Sequence, residues 1–143
     1  MRAYISVSYH MRKLLDQEIK SIMEVLRGYS ISPLVFVDQY KFESEQERDM
    51  MKTALSEIES CDLLIAEVSD KGIGIGVEVG YAKAKGKPVL YLRQRNADHS
   101  TTVSGISDFH IAYSDTMDLK QKLSKILNKL KGELPTFIGS DNK

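Results

Sequence analysis

The chain has 143 residues, 20 basic and 20 acidic, so its formal net charge is zero and its length suits one domain with a core of its own. That balance argues against an extended polyanion-binding surface while leaving room for a local basic pocket. The single cysteine, Cys61, excludes an internal disulfide, and no Cys/His cluster has the spacing of a zinc site. No apolar run approaches the roughly 20 residues that cross a bilayer, and the N-terminus lacks a signal-peptide core. The expectation is a cytoplasmic protein without a metal or other cofactor.

In chain order, "AYISVS" (3–8), "LVFV" (34–37), "LLIAEV" (63–68), "PVLYL" (88–92) and "FHIAY" (109–113) read as strands. Several are almost continuously apolar, as in a sheet covered on both faces. Between the first two, Leu15, Ile19, Ile22, Met23 and Leu26 recur at three and four residues, which predicts a helix ending at Gly28. A second helix carries Met51, Ala54, Leu55 and Ile58 on one face. A third is expected from near Gly76 to Gly86, with Pro88 preventing continuation. The last places Leu119, Leu123, Ile126, Leu127 and Leu130 on its buried side. Residues 1–134 are read as one α/β domain and 135–143 as a loose tail.

The alternation predicts a five-stranded parallel sheet with helices on both faces and a flavodoxin-like, Rossmann-like strand order. Ligands in such sheets sit beyond the carboxyl ends of the strands. The segments to inspect are therefore 6–12, 38–46, 68–78 and 93–105.

The third of these reads "GIGIGVEVG", with glycines at 72, 74, 76 and 80. A dinucleotide fingerprint requires a different third spacing and the first strand-to-helix turn, and no Gly-Lys-Ser/Thr follows for a phosphate loop. Gly74 and Gly76 still permit positive φ and close backbone approach. Glu78 is expected in the first turn of the following helix, where the helix dipole favours an ionised carboxylate. From spacing alone it either complements that dipole or faces a ligand at the mouth of the sheet. Glu67 is a rival acid at the strand end. In the first turn, Ser6, Ser8, His10 and Arg12 read either as a phosphate or sugar cradle or as an N-cap with solvated neighbours. Cys61 and His110 read as core residues.

The segment "AEVSDKGIGIGVEVGYAKAKGKPVLYL" resembles the nucleoside 2-deoxyribosyltransferase superfamily, and within it the branch that hydrolyses 2'-deoxynucleoside 5'-phosphates. The resemblance extends more weakly from residue 2 to about residue 130. It implies that Glu78 attacks or stabilises the anomeric carbon of a nucleotide. It also implies that Ser6, Ser8, Tyr9, His10, Met11 and Arg12 wrap the sugar phosphate, with Gly74 and Gly76 beside them. Ser100, Thr101 and Thr102 align with a segment that relatives extend into a partner subunit's site, which implies a homodimer completed by loop 93–105. Asp38 and Tyr40 follow the second strand, where relatives contact the base, and Asp38 is a candidate proton donor to the leaving base.

Two departures stand out. Relatives show a glycine-richer first turn with an arginine near position 10, where this chain has His10 and Met11. They also carry an aspartate in the second helix that supports the glutamate, and the aligned position here is Ala54, with Asp49 as a substitute if the register shifts. The resemblance implies a nucleoside 5'-monophosphate N-glycosidase, with a deoxyribosyltransferase or a nucleotide-binding sensor as the alternatives.

Overall fold

The computed structural model describes residues 1–139, with side chains through residue 132. Five strands, β1 (Arg2–Val7), β2 (Ser32–Val35), β3 (Leu63–Glu67), β4 (Val89–Gln94) and β5 (Phe109–Tyr113), pair in parallel in the order β2-β1-β3-β4-β5. This is the flavodoxin-like order expected from the alternation. Helices α1 (Asp16–Gly28) and α6 (Thr116–Gly139) cover one face. The other is covered by α2 (Phe36–Gln39), α3 (Glu47–Ser60), α4 (Ile73–Ala84) and α5 (Thr101–Ile106).

The period of two along the strands divides the core. Ala3, Ile5 and Val7 of β1 join Leu15, Ile19, Ile22 and Leu26 of α1 and Leu119, Leu123 and Leu127 of α6. Tyr4, one position out of phase, joins Ala54 and Ile58 of α3 and Ile75, Val79 and Ala82 of α4. Ile22 and Leu123 are fully buried, and truncating either to alanine removes about 2–5 kcal/mol of stability. Two of the crossover helices, α1 and α4, end on a left-handed residue. Ser30 closes α1 at φ 59°, with the Ile31 N–H returning to the Leu26 carbonyl at 2.9 Å. Gly86 closes α4 at φ 74°, with Lys87 returning to Ala82, and there glycine avoids a side-chain clash.

Several boundaries differ from expectation. β2 stops at Val35, because among the described residues β1 is its only partner and their register ends at the Ile5–Val35 pair. The backbone of 36–39 then bonds to itself as one helical turn. α1 begins at Asp16, after a 3-10 turn at Tyr9–Met11, so the first turn does not feed straight into a helix N-terminus. α4 begins at Ile73, capped by Gly72, three residues before the expected Gly76. Finally, the end of the polar 93–105 segment is helical, as α5. The helix α6 runs through residue 135 to Gly139, and residues 140–143 of the expected tail lie outside the described residues. Among the described residues no helix is long and apolar enough to cross a membrane.

Candidate active site

The early start of α4 moves Glu78 from the first turn to the second, since no acidic residue lies in the first turn. The helix-dipole argument for its ionisation therefore fails, because that field fades beyond the terminal turn. Its side chain is governed instead by β1. Tyr4 donates its hydroxyl to Glu78 Oε2, and Ser6 donates to Glu78 Oε1 at 3.0 Å. Tyr4 is fully buried and Ser6 is 1% exposed, while Glu78 is half-buried. Burial raises the Glu78 pKa above the usual carboxylate range, and the two hydroxyl donors pull it part of the way back. Burial, followed by the Glu78 charge, also raises the Tyr4 pKa, so its phenol stays a donor. The result is a partly desolvated carboxylate with one hydroxyl on each oxygen, held at the carboxyl end of β1.

Tyr4 also fixes what lies next to that carboxylate. Its ring stacks with Phe36 of α2, with centroids 5.9 Å apart, and Phe36 contacts Tyr40 at 5.0 Å. Phe42 stacks on Tyr40 at 6.0 Å, extending an aromatic wall from β1 across the connection after β2. Tyr4, Phe36 and Phe42 were not among the sequence candidates. The signal for Tyr4 was available in the alternation of Tyr4, Ser6 and Ser8 along one face of β1.

The first turn holds its predicted residues in different settings. Ser8 precedes the 3-10 turn but makes no side-chain cap, and its hydroxyl donates to Asp70 Oδ2 at 2.8 Å. Tyr9 and His10 are exposed, whereas Met11 packs against the α1/α6 core. Arg12 is not a solvated surface residue. It forks onto Asp38, with Nε to Oδ1 at 2.9 Å and Nη2 to Oδ2 at 2.8 Å, and its Nη1 reaches Asp16 at 3.1 Å. The bond to Asp38 is the largest influence that raises the Arg12 pKa. Two candidates from different segments thus meet, but as partners of each other.

Ser100, Thr102, Gly72 and Gly76 line a cavity of about 260 Å³ together with Val68, Lys71, Ile73, Ile75 and Val103. Thr101 is exposed outside this lining. Ser100 caps α5 by accepting the Val103 N–H at 3.4 Å, and its own N–H donates to the buried Tyr91 hydroxyl at 3.0 Å. Glu78 does not line this cavity. It follows Gly76 by two positions, about 200° around the helix, and so occupies the opposite flank of α4. Gly74 and Gly76 belong to α4 rather than to a positive-φ loop, which corrects the expectation for them. A side-chain carbon at either position would meet open space.

The support expected from α3 is absent. Ala54 is 2% exposed in the cluster that holds Tyr4, and Asp49 is exposed in the first turn of α3. Among the described residues, the side-chain donors to Glu78 are hydroxyls alone. The rival acid Glu67 is 1% exposed and points to the opposite sheet face, alongside Leu63 and Ile65. Cys61 is buried as expected, its thiol pushed up to about 11 by burial. His110 is exposed, because β5 is an edge strand; its Nε2 lies 2.7 Å from the Ser104 carbonyl oxygen.

Residues 4–129 match the family model described as nucleoside 2-deoxyribosyltransferase. The chain belongs to the nucleoside 2-deoxyribosyltransferase family. A Thermofilum pendens (strain DSM 2475 / Hrk 5) relative of this family, provisionally named 2'-deoxynucleoside 5'-phosphate N-hydrolase 1, is 30% identical over 136 residues, covering 89% of this chain and 95% of the relative. A Syntrophotalea carbinolica (strain DSM 2380 / NBRC 103641 / GraBd1) protein with the same name is 46% identical over 41 residues, 29% of each chain. The Clostridium botulinum CMP N-glycosidase superposes with a TM-score of 0.61 at 23% identity, covering 86% of this chain and 98% of that one. The 2-deoxyribosyltransferase of Bacillus psychrosaccharolyticus superposes with a TM-score of 0.67 at 17% identity, covering 84% and 90%. At these identities the two superpositions show the shared fold. These relatives carry the names of nucleotide glycosidases and nucleoside transferases, and this chain shares their family and fold.

Proposed function

We propose that this chain hydrolyses the N-glycosidic bond of (deoxy)nucleoside 5'-monophosphates, releasing a free base and a sugar phosphate. The observation that carries the reading is the Glu78 carboxylate, partly desolvated and held by Tyr4 and Ser6. Breaking this bond builds positive charge on the anomeric carbon and ring oxygen. A preoriented anion stabilises that charge more than it stabilises the neutral sugar. Glu78 also has the nucleophilicity to capture the anomeric carbon before water releases the sugar phosphate. The hydroxyl on each oxygen keeps it aimed without neutralising it.

Tyr40 and Phe42, backed by the buried Phe36 and Tyr4, offer a flat surface for the base, and Asp38 in the same connection is the proton donor to it once Arg12 lets go. Ser8, Tyr9 and His10 border the sugar phosphate, with Arg12 joining them once it leaves Asp38. Ser100, Thr101 and Thr102 act from a second copy of the chain, which makes the working unit a homodimer. The similarity to a 2'-deoxynucleoside 5'-phosphate N-hydrolase over most of both chains supports this substrate class.

The test is base release from a panel of nucleoside monophosphates by wild type and Glu78→Ala, with and without a free acceptor base. Loss of roughly 10³-fold in the alanine variant is the expected result. Equal rates in the two proteins overturn the role of Glu78, and base exchange in place of sugar release identifies a transferase.

Ala54 favours one other reading, a nucleotide sensor, because among the described residues no second carboxylate assists Glu78. A rise in melting temperature with a nucleotide that the wild type never cleaves would select it.

A further inference from the structure

Glu67, the last residue of β3, is a buried acid that the proposed reaction leaves unused. One of its oxygens accepts the backbone N–H of Ser69 at 2.6 Å, and the other accepts the hydroxyl of Tyr113 on β5 at 2.5 Å. Tyr113 and Glu67 are each 1% exposed. A carboxylate in such a place is costly unless donors satisfy it, and an apolar side chain would fill the space without that cost. Packing alone therefore does not account for a glutamate here.

The contacts that follow account for it. Tyr113 reaches Glu67 across β4 and holds the carboxylate sideways, while Ser69 is the point where the chain turns away from β3. The same turn is fastened twice more. Ser69 Oγ accepts the Gln94 N–H at 2.8 Å, and Asp70 accepts the Ser8 hydroxyl at 2.8 Å. Gly72 then caps α4, the helix that delivers Glu78 to Tyr4 and Ser6 on the other side of the sheet.

The geometry points to Glu67 as a positioning residue, whose carboxylate anchors the β3–α4 turn and so aims the Glu78 carboxylate at the end of β1. This inference rests on the reading in which Glu78 meets the sugar. Glu67 itself touches no substrate. Its influence passes through Ser69, Asp70 and Gly72. A glutamine of the same size keeps one oxygen but loses the charge that strengthens the Ser69 bond, and it offers Tyr113 a donor instead of an acceptor. An aspartate keeps the charge and readily accepts the N–H two residues on.

The experiment compares wild type, Glu67→Gln, Glu67→Asp and Tyr113→Phe by residue-resolved amide exchange and by steady-state base release from nucleoside monophosphates. In Glu67→Gln, exchange at residues 69–72 should rise about tenfold while β1 and β3 stay protected. Its kcat should fall about tenfold with KM within about twofold, the pattern of a misaimed reacting group. Glu67→Asp should restore most of both, and Tyr113→Phe should move both in the Gln direction by less. Unchanged exchange at 69–72 in Glu67→Gln overturns the inference. So does a rise spread evenly over the whole sheet, which marks general loosening, or unchanged kcat in a cleaving enzyme. Absence of base release by the wild type would sink the proposed reaction instead, and the exchange arm would still decide whether Glu67 holds the turn.

Discussion

The Tyr4 hydroxyl, from the middle of β1, donates to the Glu78 carboxylate on α4, joining the first strand to the third crossover helix at the carboxyl end of the sheet. Each residue shapes the other's ionisation. The donor lowers a Glu78 pKa that burial has raised, and the carboxylate raises that of the phenol.

Removing that donor should therefore act through pH. In Tyr4→Phe the Glu78 pKa rises further, and the acid limb of base release moves to higher pH. Because the reaction needs the anion, kcat at neutral pH should fall about 10- to 100-fold. Ser6→Ala should shift the limb the same way by less. A pH–rate profile identical to wild type in both variants would remove the hydroxyls from the mechanism.

Stability should respond to Glu78 with the opposite preference. Its folded-state pKa is raised, so the folded chain holds that proton more tightly than the unfolded chain. The contribution is fully present below about pH 4 and is lost as pH rises through the raised value. Glu78→Gln should thus melt a few degrees higher than wild type at neutral pH, with the gap closing on acidification. A variant that melts lower at neutral pH would contradict the burial cost assigned to this carboxylate.

Asp38 sets how available Arg12 is. With the fork filled by Asp38 and Nη1 taken by Asp16, an incoming phosphate competes with two carboxylates. Asp38→Asn should lower KM for a monophosphate about three- to fivefold while leaving the unphosphorylated nucleoside unchanged. Since Asp38 is also the candidate proton donor to the base, its kcat is read separately. Equal effects on both substrates would mean that Arg12 does not meet the phosphate.

Ser100 has two duties to separate. Ser100→Ala removes a hydroxyl from the phosphate reading and also removes the α5 cap, costing about 1 kcal/mol. Ser100→Asp keeps a cap and adds negative charge. It should hold the melting temperature while raising KM for monophosphates about tenfold and sparing nucleosides. A monophosphate KM unmoved by Ser100→Asp would leave this serine a structural cap alone.

Strand and helix order, sheet coverage and the family motif around Glu78 were legible in the chain itself. They depend on local periodicity and on close spacing within one segment, as with Leu15, Ile19, Ile22 and Leu26 on one helix face. The partners of Glu78 were not, because Tyr4 and Ser6 are 74 and 72 positions away and reach it only after β1 and α4 pack on the same side of the sheet. The fork between Arg12 and Asp38 has the same origin, as does the burial of Glu67 beneath Tyr113. Even the start of α4 misled at short range: its glycines read as a loop, yet they form the first turn of a helix whose apolar positions Ile75, Val79 and Ala82 are drawn onto the sheet. Sequence fixes which groups are present and which face each takes within its own element; desolvation and hydrogen-bond partners arise only where distant elements meet, and those decide how a carboxylate behaves.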